Sequence, residues 1–160
     1  MSAEKKLNLN ISELIIVDEP STIYTVLGSC VSVCLFSPQT KHAGMIHYAL
    51  PYFMESSSMD ELLRYGDKAI PILIEELQKV AHQPIASFKA KVIGGANCFI
   101  RSSGGGLDNI GAMNIQMAKD ILQKYNIEII GEHTGGEVGR KVIFHTTDGR
   151  VQVASLTALT

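Results

Sequence analysis

Cys30 and His47 flank a run that reads as one β-hairpin, and a thiol facing an imidazole supplies a nucleophile and its base. Val31-Ser32-Val33-Cys34-Leu35-Phe36 is a β-rich run, and Ser37-Pro38-Gln39-Thr40 carries proline where a type I turn accepts its fixed φ. Ala43 to Tyr48 supplies the return strand. With the turn centred on Pro38-Gln39, residues whose numbers sum to 77 face each other, and Cys30 stands opposite His47. Directly opposed side chains in an antiparallel pair have Cβ atoms roughly 4.5–5.5 Å apart, close enough for a thiol to give its proton to an imidazole. The expectation depends on register, because a slip of one residue moves the two to opposite faces. Gly28-Ser29 reads as a flexible strand entry at which backbone N–H groups can turn toward a substrate. Leu50-Pro51-Tyr52 places His47 at an edge rather than mid-core. Cys34, on the same face as Cys30, reads as a small core hydrophobe.

These residues must be held by a fold, and composition bounds which. A chain of 160 residues is one domain, large enough for a core without staples. With 46% hydrophobic and 19% charged residues it has the balance of an ordinary soluble globule. The net charge of −2 and the absence of Lys/Arg clusters argue against nucleic acid as a partner. Three cysteines without a CxxC make neither a disulfide framework nor a zinc site, and fit a reducing, cytoplasmic setting. No segment reads as a signal peptide or as a membrane insertion. No metal or other cofactor is expected.

Residues 1–10 are polar and read as loose. Glu13 to Val17 and Ile23 to Leu27 read as short strands about the turn Asp18-Glu19-Pro20-Ser21. Beyond the hairpin, Phe53 to Ser58 is a polar loop and Ser58 caps a helix from Met59 to Ala81. Leu62, Leu63, Ile70, Leu73, Ile74, Leu77 and Val80 recur there at helical spacing, with Pro71 expected to kink or split the helix. Lys89 to Ile93 is a strand. Asp108 or Asn109 caps a second helix with Ile110, Met113, Met117, Ile121, Leu122 and Tyr125 on its apolar face. Strands at Ile127–Gly131, Lys141–Thr146 and Arg150–Ala154 follow, the last two joined at Thr147-Asp148-Gly149. Many strands in mostly antiparallel connection with few helices indicate an α+β fold, strand layers with flanking helices.

Three glycine clusters stand out: Gly94-Gly95, the loop 101–109 and Gly135-Gly136. None has the spacing of a dinucleotide or P-loop motif, so tight turns or a substrate-facing loop account for them better than phosphate binding. His42, His82, His133 and His145 show no HxxxH spacing with a carboxylate, which argues against a metal site.

Four segments in order resemble the CheD family of chemoreceptor glutamine deamidases: Thr25-Val26-Leu27-Gly28-Ser29-Cys30-Val31, Gly44-Met45-Ile46-His47-Tyr48-Ala49-Leu50-Pro51, Lys91-Val92-Ile93-Gly94-Gly95-Ala96-Asn97, and Gly135 through Thr146. The resemblance implies a strand sandwich with flanking helices, related in fold to deamidating bacterial toxins. It implies a Thr–Cys–His site of Thr25, Cys30 and His47, with Thr22 as the alternative threonine and backbone support from Gly28 and Ser29. The implied reaction turns glutamine side chains of methyl-accepting chemoreceptors into glutamate with release of ammonia. A CheC-type phosphatase is the further partner it implies. Two rival expectations stand beside it: a mainly non-catalytic partner of that phosphatase, and a different thiol hydrolase on the same Cys–His geometry.

Overall fold

The structure, a computed structural model, describes residues 4–54, 58–97 and 109–156. Its centre is the pair β4 (Val31–Phe36) and β5 (Ala43–Tyr48). Every residue of β5 and all but the last of β4 are buried, as strands are when both faces of their sheet are covered. Around them a five-stranded sheet runs β2 (Glu13–Val17), β5, β4, β6 (Lys89–Gly94), β7 (Glu128–Thr134). A four-stranded sheet runs β1 (Lys5–Asn8), β3 (Ser21–Leu27), β8 (Arg140–His145), β9 (Val151–Ser155).

Alternation along β4 sorts the two cores. Val31, Val33 and Leu35 pack with Ile70, Leu73, Ile74 and Leu77 of α1 (Gly66–Ala81) and with Met117, Ala118 and Leu122 of α2 (Ile110–Lys124). Cys30 and Cys34 turn the other way, into a core shared with Ile23, Leu27, Val142 and Phe144 of the smaller sheet. The architecture is helices on sheet on sheet, an α+β sandwich as the strand-rich pattern predicts. No helix among the described residues is long and apolar enough to cross a membrane.

Several expectations change. Lys5–Asn8 is not loose but pairs in parallel with β3. The β6–β7 pair is parallel too, so both sheets are mixed. The β4–β5 connection is wider than a two-residue turn: Ser37 N donates to His42 O, and Phe36 lies opposite Ala43. Opposed residues therefore sum to 79, and His47 faces Ser32 rather than Cys30. A shift of two keeps every side chain on its face.

The long helix is indeed split, but at Tyr65 and not at Pro71. A 3₁₀ helix covers Met59–Arg64, Tyr65 caps α1 with extended backbone, and α1 continues through Pro71 with one bond missing. The break is fixed from outside, because Leu50 accepts from Gly66 N and Pro51 from Asp67 N. On α2 the buried face is Gly111, Asn114, Met117, Ala118 and Leu122, while Met113 is exposed. Asn109 caps it without a side-chain hydrogen bond. Cys98, Asp108 and the glycines of 101–108 lie outside the described residues.

Gly94 has φ +111, and a Cβ there would collide with the Cys30 carbonyl oxygen. Gly94→Ala thus combines left-handed strain with a backbone clash. It is expected to cost about 3 kcal/mol or more in urea-unfolding free energy.

Candidate active site

The chain passes from the smaller sheet to the larger one between Leu27 and Val31, and Cys30 sits on that corner. The corner is not the flexible element that Gly28-Ser29 suggests. Three successive carbonyls are held: Gly28 O accepts from Ala96 N at 2.9 Å, Ser29 O from Asn114 Nδ2 at 3.0 Å, and Cys30 O from Gly95 N at 2.9 Å. Trans peptides point N–H opposite to C=O, so these bonds also fix the directions of the Ser29, Cys30 and Val31 N–H groups. Cys30 itself is half-buried. Cys34 is wholly buried, and desolvation pushes its thiol far above the ordinary range, so it is inert as a nucleophile.

In the observed register Cys30 precedes Ser32, the partner of His47, by two residues, so Cys30 and His47 are diagonal neighbours on one face. A second observation brings the same segments together: Asn114 Nδ2 donates to Ser29 O and, at 2.9 Å, to Ala49 O. His47 is buried, and its Nδ1 lies 2.9 Å from Thr25 Oγ1. The threonine hydroxyl has one hydrogen and gives it to Leu9 O at 2.8 Å. Oγ1 must then accept, so Nδ1 carries the imidazole proton and Nε2 presents a lone pair. Among the described residues Nε2 has no hydrogen-bond partner. Thr22 is elsewhere, its hydroxyl 3.4 Å from Lys5 O.

Burial lowers the His47 pKa from 6.5 to about 4, against a smaller raising effect of the Glu13 charge. Glu13 is the residue opposite His47 on β2, a carboxylate neighbour that sequence distance conceals. It is exposed and bonded to Asn10 N, which explains why desolvation wins. The resting imidazole is neutral at physiological pH.

Two supporting residues were not apparent from sequence. Asn114 is one, an amide on the buried face of α2; a polar residue interrupting an apolar helical stripe was its only signal. Arg140 is the other. Buried opposite Leu27, it donates to His133 O at 2.5 Å and to Gly135 O, tying β7 to β8. Gly135 N and Gly136 O in turn bond Gly94 O and Asn97 N. The Gly94-Gly95 and Gly135-Gly136 clusters thus stack behind the Cys30 corner as successive layers of backbone. His145 pairs with Gln152, His42 with Thr40, and His82 ends α1 in the left-handed conformation.

A groove of about 720 Å³ reaches this site between Asn10, Tyr24, Val26 and Lys141, with Thr25 and His47 among its walls. Cys30 does not line it, so the groove gives access to the imidazole from the threonine side.

The family described as CheD chemotactic sensory transduction matches residues 49–155. Similarity to individual proteins extends over Cys30 and His47 as well. A protein of Caldanaerobacter subterraneus subsp. tengcongensis named "Probable chemoreceptor glutamine deamidase CheD" is 35% identical over 153 residues, covering 95% of this chain and 94% of its own. One of Sulfurimonas denitrificans with that name is 37% identical, covering 96% and 95%. Among solved structures, the hypothetical protein YfiH of Bacillus licheniformis matches 76% of this chain and 49% of its own, at 13% identity and a TM-score of 0.45. That likeness is too distant to bear on function.

Neutral His47 makes stability pH-dependent. Between its folded value of about 4 and the ordinary 6.5, the unfolded chain binds the proton more readily. This contribution is complete above the ordinary value and is lost as pH falls toward the folded one. Urea midpoints should drop more steeply between about pH 7 and about pH 4.5 for the native protein than for His47→Gln.

Proposed function

The chain belongs to the CheD family, and from that premise we propose that Cys30, His47 and Thr25 carry out its amide hydrolysis. The enzyme is a chemoreceptor glutamine deamidase: it converts glutamine side chains to glutamate and releases ammonia. In the proposed mechanism the Cys30 sulfur attacks the side-chain carbonyl carbon while His47 Nε2 takes the thiol proton. The proton moves from sulfur to the lone pair that Nε2 presents as the S–C bond forms. The oxyanion so created is met by the fixed backbone N–H groups of the Gly28–Cys30 corner. His47 returns the proton to the amide nitrogen, the C–N bond breaks, and ammonia leaves a thioester. Water, deprotonated by the same nitrogen, attacks the thioester; the C–S bond breaks, and glutamate and the free thiol are regenerated.

The observation that carries this reading is the chain His47 Nδ1–H to Thr25 Oγ1 to Leu9 O, because it fixes the one tautomer in which Nε2 can act as a base. A primary amide is a poor electrophile, and an oriented base with a soft nucleophile answers that difficulty. The same proposal places the enzyme in the cytoplasm, where the thiol stays reduced, and includes a CheC-type phosphatase as a binding partner.

Mass spectrometry of a folded chemoreceptor cytoplasmic fragment incubated with enzyme tests the reaction. Native protein should convert glutamine to glutamate and release ammonia without cutting the chain, and Cys30→Ala or His47→Ala should not. Thr25→Val should lower kcat about ten- to a hundredfold, with recovery in Thr25→Ser. Conversion that survives Cys30→Ala would remove the nucleophile assignment. Co-elution of Cys30→Ala with a CheC-type phosphatase checks the partner independently of catalysis.

A further inference from the structure

One fully buried polar side chain has no place in the reaction above. Asn114 lies on the inner face of α2 among Gly111, Met117 and Ala118. Burying an amide there is unfavourable unless it is fully bonded, and this one is not: Oδ1 has no partner among the described residues. That unpartnered oxygen does not account for the residue.

Its two N–H groups do. They bond Ser29 O and Ala49 O, carbonyls twenty residues apart in sequence. Ser29 immediately precedes Cys30, and Ala49 follows His47 by two. The reverse amide orientation would set Oδ1 against two carbonyl oxygens, so the assignment of nitrogen is secure. The helix is brought within reach by Gly111, where a Cβ would collide with the carbonyl oxygens of Gly95 and Ala96. Tyr48, next to His47, donates its hydroxyl to the Asn114 carbonyl at 2.5 Å. Both strand ends at the site therefore hang from one helical residue.

We propose that Asn114 is a positioning residue, whose amide clamps the nucleophile corner to the histidine strand and so fixes the Ser29–Cys30 peptide plane relative to His47. The inference rests on the assignment of Cys30 and His47 above. With Ser29 O turned toward α2, the Cys30 N–H is directed to the opposite side and the origin of the Cys30 side chain is fixed. Loss of the clamp leaves all three reacting groups in the chain but frees their relative placement, and a misplacement of that kind costs on the order of a hundredfold in rate.

Asn114→Leu keeps bulk and removes the donors; Asn114→Ser, too short to reach either carbonyl, carries the same test should the first not fold. Two quantities are read: kcat and KM on the receptor fragment, and the pH dependence of Cys30 alkylation by iodoacetamide, followed by peptide mass spectrometry. The expected result is a kcat lowered about a hundredfold with KM within about threefold, and a displaced alkylation profile. Leu122→Ala, a cavity variant on the same helix with an equal or lower Tm, should keep native kcat and the native profile. The proposal is overturned if the Asn114 variants keep kcat within about threefold, if their alkylation profile is native, or if Leu122→Ala loses as much. Should native protein show no deamidation, the reaction assignment falls, while alkylation still decides the clamp.

Discussion

A hydroxyl on one sheet touches an imidazole on the other, and the geometry of the molecule is organised around that contact. Facing sheets in a sandwich lie about 10 Å apart, a distance filled by apolar side chains. Thr25 of β3 and His47 of β5 close it with a 2.9 Å hydrogen bond. The bond requires that two sheets be aligned to within a fraction of a residue, and the alignment is secured by Arg140 tying β7 to β8 and by the corner through which β3 becomes β4. The choice of threonine has an electrostatic consequence as well. A carboxylate in its place would favour the imidazolium, whereas a neutral hydroxyl orients the ring and leaves burial to keep it uncharged.

Much of this was legible in the sequence, for identifiable reasons. The strands β2 to β6 follow β-branched and apolar runs, and the Asp148-Gly149 hairpin follows its turn residues, with Gly149 at φ +78. Cys30, His47 and Thr25 were marked by residue type and by the motifs around them. The register was not legible, because the six residues from Ser37 to His42 offer more than one way to turn. The error was harmless only because it was even. The start of α1 was hidden since it is fixed by the Leu50 and Pro51 carbonyls, which accept from Gly66 N and Asp67 N, partners that no local pattern reveals. Lys5–Asn8 looked loose for a related reason: a four-residue polar strand has no signal until β3 stands beside it. Asn114 escaped notice because helical periodicity ranks positions by hydrophobicity, and its importance lies in being polar.

Two of the three glycine motifs can be read in three dimensions. Gly94 and Gly95, at φ +111 and +74, bring backbone against the Cys30 carbonyl and against α2. Gly135 and Gly136 wrap that turn from outside. Gly94 and Gly95 let the corner, the end of β6 and α2 approach more closely than side chains would permit, whereas Gly135 and Gly136, at φ +82 and +80, turn the chain where a Cβ would meet no backbone.

The site draws on Leu9, Thr25, Cys30, His47 and Asn114, residues scattered over two sheets and a helix. Such a constellation cannot exist in a partly folded chain. The β4–β5 hairpin alone brings His47 near Cys30, but the tautomer waits on the smaller sheet and the corner waits on α2. Sequence-distant pairings of this kind form late, since loop-closure entropy must be met before they return any stabilisation. On the proposed assignment, a nascent or locally opened molecule therefore lacks the arrangement of base and corner about Cys30. Amide hydrolysis by the proposed site would then be a property of the finished fold alone.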